Sequence, residues 1–211
     1  MTTAMATPTP EAGAYPIRLT IERPDTQARL TNFPLFIGTL IRLVLLLPSL
    51  LVYYYLATAA GVAFWLSLWG ILFTGRYPRG LFKLQVGALR WGMNVSAYLF
   101  HLFDPYPPMD LDQRPDRELI LEVDYPERPS RWLNLPFFPL KFVLAIPHLL
   151  ILMALYFLAG VVVFIAQFVI LFSGSFPAGL HSLVVGYLRW QVRTTGYLYA
   201  FTDKYPPFSL S

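Results

Sequence analysis

The chain contains no cysteine among its 211 residues. This absence excludes disulfide bonds, cysteine-ligated zinc or iron–sulfur sites and covalent attachment of c-type haem. Charge is also scarce, because Asp, Glu, Lys and Arg make up 13% of the chain, against about 25% in an average soluble domain. No charged residue lies between Leu43 and Gly75 or between Phe142 and Leu180. Since an apolar run of about 18 residues is enough to enter a bilayer, both tracts predict membrane embedding.

What charge there is sums to +4, and aromatic residues make up 17% of the chain. The basic residues form no stripe interleaved with aromatics, so the sequence predicts no nucleic-acid partner. Many aromatic side chains flank the apolar tracts, which is typical of anchoring at the lipid–water boundary. Basic residues at both ends of each tract favour an inner-membrane protein with both termini in the cytoplasm.

An internal duplication organises the chain. Phe-Thr-Gly-Arg-Tyr-Pro-Arg-Gly-Leu at 73–81 returns as Phe-Ser-Gly-Ser-Phe-Pro-Ala-Gly-Leu at 172–180. We therefore expect repeat 1 at 15–108, a linker at 109–117 and repeat 2 at 118–211. The first 14 residues are rich in Thr, Ala and Pro and predict a disordered tail.

Each repeat opens with a period-two segment, Tyr15–Pro24 or Glu118–Pro126. Apolar residues alternate with polar ones and a proline ends each segment, which predicts one short strand per repeat. We expect the two strands to pair with each other outside the membrane.

The apolar tracts are interpreted as two helical hairpins. Ala60-Gly61 and Ala159-Gly160 stand near the middle of the tracts, where a turn would make each tract a hairpin of two short arms. The alternative is one long tilted helix per repeat. Pro48 and Pro147 predict kinks, because a proline removes a helix hydrogen bond, and we count Gly61 and Gly160 among the hinge or kink candidates.

After a glycine–proline exit turn (75–80 and 174–179), each repeat continues with an amphipathic pattern, as in Leu81–Phe103. Such a helix is expected in the headgroup plane, with its apolar side toward lipid. Interfacial arginine can pair with lipid phosphate or extend its head to water. The candidates for contact with anionic headgroups are Arg90, Trp91, Arg189, Trp190 and Arg193.

These motifs resemble a family of uncharacterised bacterial membrane proteins that carries domain of unknown function 4389, often in tandem. The elements that carry the resemblance are Ile146-Pro147-His148, the turn Phe73–Phe82, Leu89-Arg90-Trp91 with Leu188-Arg189-Trp190, and Asp203–Phe208. The resemblance implies a bacterial membrane and a repeated fold unit, and it implies no activity. The first copy departs from the pattern at Leu47-Pro48-Ser49 and the second at Ser175–Ala178.

The predicted fold class is a mostly α membrane protein of two tandem repeats. Each repeat has a short strand, an apolar helical hairpin or one long kinked helix, and an interfacial amphipathic helix. The sequence contains no nucleophile–base pair and no phosphate-binding glycine loop. The three histidines, His101, His148 and His181, have no metal-ligand spacing to one another. We therefore expect that the protein is not an enzyme and binds no cofactor or metal. We expect instead a multi-pass, non-catalytic accessory or scaffold subunit, with a membrane-protein partner or a second copy of itself. The alternatives are a membrane-shaping protein and a small transporter.

Overall fold

The computed structural model describes residues 15–114, 116–138 and 140–211. The predicted disordered tail at 1–14 lies outside the described residues. The elements in chain order are β1 (Ile17–Ile21), α1 (Ile37–Thr74), α2 (Arg79–Leu99), β2 (Leu119–Val123), α3 (Leu140–Ser173) and α4 (Ala178–Leu198). The architecture is mostly helical, with a small sheet and two matching halves.

The predicted strands pair with each other, as expected. β1 and β2 form an antiparallel ribbon in which Ile17 faces Val123, Leu19 faces Leu121 and Ile21 faces Leu119. The alternating apolar side chains of both strands are largely buried beneath the ribbon. On the other side Arg18 forms ion pairs with Glu122 at 3.0 Å and with Asp124 at 2.8 Å. The ribbon therefore has one face on the helices and one polar face.

The hairpin interpretation of the apolar tracts is wrong, because each tract is one continuous helix. α1 has 38 residues and α3 has 34, which corresponds to lengths of about 57 Å and about 51 Å at about 1.5 Å per residue. Ala60 and Ala159 are buried in the helix packing. An interior glycine costs only about 1 kcal/mol relative to alanine, so Gly61 and Gly160 do not break helices held by such packing.

Both long helices end at the predicted glycines. Gly75 and Gly174 adopt φ values of 70° and 78°, and their backbone N–H groups donate to Ile71 and Ile170. Glycine adopts this left-handed conformation without the steric cost of a Cβ. The chain then reverses, so that α2 returns along α1 and α4 returns along α3.

The sequence predicts that the amphipathic helices lie in the headgroup plane. In the structure, α2 and α4 instead pack inside the protein. α2 packs against α1, α4 packs against α3, and the ribbon covers α4 and α2. Val86, Trp91, Val95 and Tyr98 are all buried within the protein. Since α1 and the ribbon both pack on α2, its apolar face is already occupied by the chain itself.

The two repeats run in opposite directions. Gln167, near the end of α3, donates to Oγ1 of Thr39, near the start of α1, at 2.9 Å. At the other end Trp69 of α1 contacts Phe137, just before α3, with ring centroids 5.0 Å apart. α1 and α3 are therefore antiparallel and lie on one side of the molecule, while the ribbon lies on the other.

Candidate functional site: two buried ion clusters and an apolar cleft

A fully buried arginine stands near the start of α1. Arg42 has no exposed surface. Its Nε donates to the carbonyl of Thr31 at 3.0 Å, and its Nη1 donates to the carbonyls of Tyr98 and Phe103, each at 2.7 Å. Its Nη2 donates to Oδ1 of Asn32 at 3.0 Å and to the carboxylate of Asp104. All five guanidinium N–H donors are thus paired.

Asp104 completes this first ion cluster. Its carboxylate accepts from the backbone N–H of Ala28 and from Nδ2 of Asn32 at 2.8 Å, in addition to Arg42. The ring of Tyr98 lies beneath the guanidinium, with its centroid 4.4 Å from Cζ. The cluster therefore ties together the loop before α1, the first turns of α1 and the segment after α2.

The second repeat builds the same cluster with lysine. Lys141 is 3% exposed, and its Nζ lies 2.8 Å from Oδ1 of Asp203 and donates to the carbonyl of Thr202 at 2.8 Å. Asp203 also accepts from Nδ2 of Asn134 and from the backbone N–H of Ser130. The ring of Tyr197 lies 4.8 Å from the ammonium. Each member corresponds to one in the first cluster, except that lysine has three donors where arginine has five.

The first cluster alone extends through a histidine. His101 is fully buried, and its Nδ1 lies 2.7 Å from Oδ1 of Asn32. Because Arg42 already donates to that same oxygen, Asn32 can only accept there, and Nδ1 must carry the proton. Burial, reinforced by the nearby positive charge of Arg42, lowers the pKa of His101 to about 3, so at neutral pH its Nε2 is an acceptor.

This tautomer orients the amide of Gln167. Nε2 of His101 lies 2.9 Å from Oγ1 of Thr39 and 3.0 Å from Nε2 of Gln167. Since the histidine nitrogen accepts, the amide must present its NH₂ group to it. The amide oxygen, Oε1, then points elsewhere, and it is buried with no hydrogen-bond partner.

An apolar cleft of about 490 Å³ lies beside this amide, between the two repeats. Its walls come from α1, α2 and α3, and its lining residues include Leu43, Leu99, Phe100, Tyr156, Val163 and Phe164. Thr39 and Gln167 supply its polar end. Cavities of about 300–1,000 Å³ with a few polar groups are typical of sites for small apolar ligands.

The predicted headgroup candidates bind groups of the chain itself. Arg90 donates to Gln113 and to the carbonyls of Leu111 and Leu121, and Arg189 donates to the carbonyl of Leu19 at 2.9 Å. Arg193 contacts the carbonyl of Ser211. Trp91 and Trp190 are buried and donate to Ser49 and His148 at 3.0 and 2.8 Å. These side chains therefore fasten α2 and α4 to the ribbon, the chain terminus and the long helices.

The kink candidates lie inside continuous helices. Pro48 and Pro147 each precede the residue that accepts the tryptophan N–H, Ser49 or His148. A Cβ added at Gly61 or Gly160 would meet no atom within 4 Å. These glycines face open space, whereas the neighbouring Ala60 and Ala159 are buried.

The two ion clusters were missed by reasoning from sequence. A signal was present, since Arg42 and Lys141 each stand at the start of an uncharged tract and each precedes an Asp-x-Tyr-Pro-Pro aspartate by 62 positions. Equal spacing of opposite charges in both copies of a duplication is evidence for a repeated pair.

Comparison with known proteins assigns the chain to a family and gives no activity. No curated protein and no solved structure matches it. A family model, domain of unknown function (DUF4389), matches residues 37–109 and 138–209. The matched segments contain the long helix, the returning helix and the cation–aspartate pair of each repeat. The chain belongs to the DUF4389 family and carries two copies of its domain in tandem.

Proposed function

We propose that the protein is a membrane-bound, non-catalytic accessory or scaffold subunit in a bacterial cytoplasmic membrane. The observation that carries this proposal is the exposed apolar surface of the two long helices. Only 17% of the most apolar window of α1 and 28% of that of α3 is buried, whereas a core helix of a soluble protein would be mostly covered. Both helices are long and apolar enough to cross a membrane.

The distribution of charge supports a lipid environment. Each long helix has a single charged residue, Arg42 or Lys141, and both are buried in the ion clusters. Exposed basic side chains stand near the helix ends instead, at Arg29, Arg76, Arg79, Lys83, Arg128 and Arg131. Cations in this position suit the phosphates of anionic headgroups.

The polar interior supports a scaffold role. The hydrogen bonds of the two cation–aspartate pairs, Arg42–Asp104 and Lys141–Asp203, connect loops with helices. This gives a rigid apolar module. Tyr15 donates to the carbonyl of Lys204 at 3.0 Å, so the two ends of the described chain lie together. This agrees with termini on one side of the membrane, and we place them in the cytoplasm.

The test is purification of the tagged full chain from native membranes in a gentle detergent, followed by size exclusion and mass spectrometry. A partner that stays in fixed ratio through both steps supports the accessory subunit. Protein that leaves the membrane in alkaline carbonate without detergent contradicts membrane insertion. Protein that stays in the membrane and purifies alone contradicts the accessory role.

Membrane shaping is the second candidate, favoured by the position of α1 and α3 side by side on one face. Apolar helices inserted into one leaflet expand it relative to the other. Liposomes should then tubulate at high protein loading, and liposomes of unchanged diameter would contradict this function. A transporter is the third candidate, and reconstituted protein that moves no ion or solute would contradict it.

A further inference from the structure

We infer that α1 and α3 lie in the plane of the membrane, in one leaflet, with the ribbon in water. This inference deepens the proposed function, on which it rests, because it names the lipid surface that the exposed helices contact. The alternative is a spanning orientation, in which both helices stand across the bilayer.

In the first repeat the ribbon lies level with the middle of α1. A Cβ at Gly92 of α2 would touch the hydroxyl of Tyr53 at 2.4 Å, and Tyr53 lies close to the midpoint of α1. Two residues before Gly92, the guanidinium of Arg90 donates to the carbonyl of Leu121 in β2. The centre of the long helix and the ribbon are thus on opposite sides of the same short stretch of α2.

The second repeat gives the same result independently. Tyr187 of α4 contacts Tyr156, at the midpoint of α3, with ring centroids 6.3 Å apart. Two residues later, Arg189 donates to the carbonyl of Leu19 in β1 at 2.9 Å. Both strands therefore lie level with helix midpoints.

The charges on the outer face of the ribbon decide the orientation. Arg18, Glu122 and Asp124 are next to Leu19, Leu121 and Val123, and their side chains are 29%, 31% and 50% exposed. If the long helices stood across a bilayer, these charges would face its centre. Arg18 pairs with both carboxylates, but all three side chains keep exposed surface. Such partly exposed charges are strongly disfavoured at that depth, because acyl chains do not hydrate them.

Helix length points the same way. A helix of about 57 Å exceeds the hydrocarbon core of about 30 Å by nearly twofold. In a spanning orientation, many exposed apolar side chains would stand in water at either end. A helix in the membrane plane has no length limit, so the full apolar surface of α1 and α3 can contact acyl chains.

The native absence of cysteine allows a clean test with the full chain in vesicles of phosphatidylethanolamine and phosphatidylglycerol. Val44, Tyr55 and Phe73 are exposed and share one side of α1, since their spacings of 11 and 18 residues are close to whole turns. Val44→Cys, Tyr55→Cys and Phe73→Cys would each carry a nitroxide, and immersion depth would be read from oxygen and nickel accessibility. Thr20→Cys, on the exposed face of β1, would be treated with a charged thiol reagent.

An in-plane helix predicts similar depths at all three positions and rapid reaction of Thr20→Cys. A spanning helix places Val44 about 16 Å and Phe73 about 27 Å from the level of Tyr55, so a depth maximum at Tyr55 with a protected Thr20→Cys would overturn the inference. Protein that does not sediment with vesicles would contradict the proposed function instead. Circular dichroism of each variant checks that the fold is retained.

The oriented amide of Gln167 carries a second, independent inference. The geometry points to the cleft of about 490 Å³ as a site for a neutral amphiphile with one hydroxyl group. Gln167 is 1% exposed, lines the cleft and has an unpaired Oε1. A ligand hydroxyl can donate to this oxygen while its hydrocarbon part fills the apolar walls.

Filling the cleft is the sharpest test of this site. Gly160 lines the cleft and has open space at its Cβ position, so Gly160→Leu should fold and occlude it. Gly61→Leu is the matched control, since Gly61 occupies the equivalent position in α1 and also faces open space. The probe is radiolabelled 1-dodecanol, compared with its methyl ether, which has no donor.

We expect 1-dodecanol to bind the native full chain about tenfold more tightly than the ether, the effect of one hydrogen bond. Gly160→Leu should abolish this binding, and Gly61→Leu should leave it unchanged. Gln167→Leu should remove the preference for the alcohol. Equal binding of both probes, or unchanged binding in Gly160→Leu, would overturn the assignment.

Discussion

Trp190 donates its indole N–H to Nδ1 of His148 at 2.8 Å, and Trp91 donates in the same way to Oγ of Ser49 at 3.0 Å. The two bonds occupy equivalent places in the repeats, and each acceptor directly follows the helix proline. The two repeats thus share the bond between the long helix and the returning helix, with a hydroxyl as acceptor in the first and an imidazole in the second.

Removing these bonds should cost unequal amounts of stability. Trp190→Phe leaves Nδ1 of His148 buried without a donor, at a cost of about 1–3 kcal/mol. Trp91→Phe should cost less, because the Ser49 hydroxyl can rotate toward a backbone carbonyl. Unfolding in denaturant, followed by circular dichroism in detergent, measures both. Trp132→Phe, at a position that is 79% exposed, is the control and should change nothing.

Breaking the first ion cluster should be strongly destabilising. Arg42→Met leaves the carboxylate of Asp104 without its cation and removes five hydrogen bonds, with an expected loss of about 3–5 kcal/mol in the free energy of unfolding. Arg42→Lys should recover only part of this loss, because lysine cannot reach all of these acceptors. Arg76→Met, at an exposed position, is the matched control. A loss from Arg42→Met no larger than the control's would contradict the structural role of the cluster.

Replacing Ala200 with glycine should lower the stability of the protein less than replacing an alanine inside a helix. It adopts φ of 61°, a left-handed conformation in which a Cβ is unfavourable. Ala200→Gly should therefore be neutral or stabilise by up to about 1 kcal/mol. Ala59→Gly, in the exposed interior of α1, should destabilise by about 1 kcal/mol. Thermal unfolding of both variants gives the comparison, and an equal loss in both would contradict the strained geometry at Ala200.

Stability should fall as the pH falls below about 6.5. Burial, reinforced by nearby arginines, lowers the pKa of His101 to about 3 and that of His181 to about 4. In the unfolded chain both should titrate near pH 6.5. Between these values the unfolded state binds more protons, so acid favours unfolding, by about 1.4 kcal/mol per group for each pH unit of difference.

Thermal midpoints between pH 7.5 and pH 4.5 test this dependence. His181→Gln removes one of the two groups and should flatten the profile. An unchanged slope in His181→Gln would show that His181 does not contribute through its protonation.

Local patterns predicted the local structure correctly. The strands, the glycine ends of the long helices and the returning helices depend on alternation, backbone φ and proline, which act within a few residues. The proposed break at Ala60-Gly61 was wrong, because Ala60 is buried in the protein and one interior glycine costs only about 1 kcal/mol relative to alanine. The sequence pattern also could not predict that α2 lies between α1 and the ribbon. An amphipathic pattern shows that a helix has an apolar face, but it does not specify whether lipid or protein covers that face.

The sequence by itself determined that the chain is a duplication with two long uncharged tracts and one strand per repeat, because periodicity and composition are read residue by residue. Only the tertiary structure decided that Arg42 pairs with Asp104 and that Lys141 pairs with Asp203, since the two members of each pair are 62 positions apart in the sequence. It also decided that the charged ribbon lies level with the helix midpoints. That relationship depends on how two antiparallel repeats pack, and from it follows the orientation that we infer for the protein in the membrane.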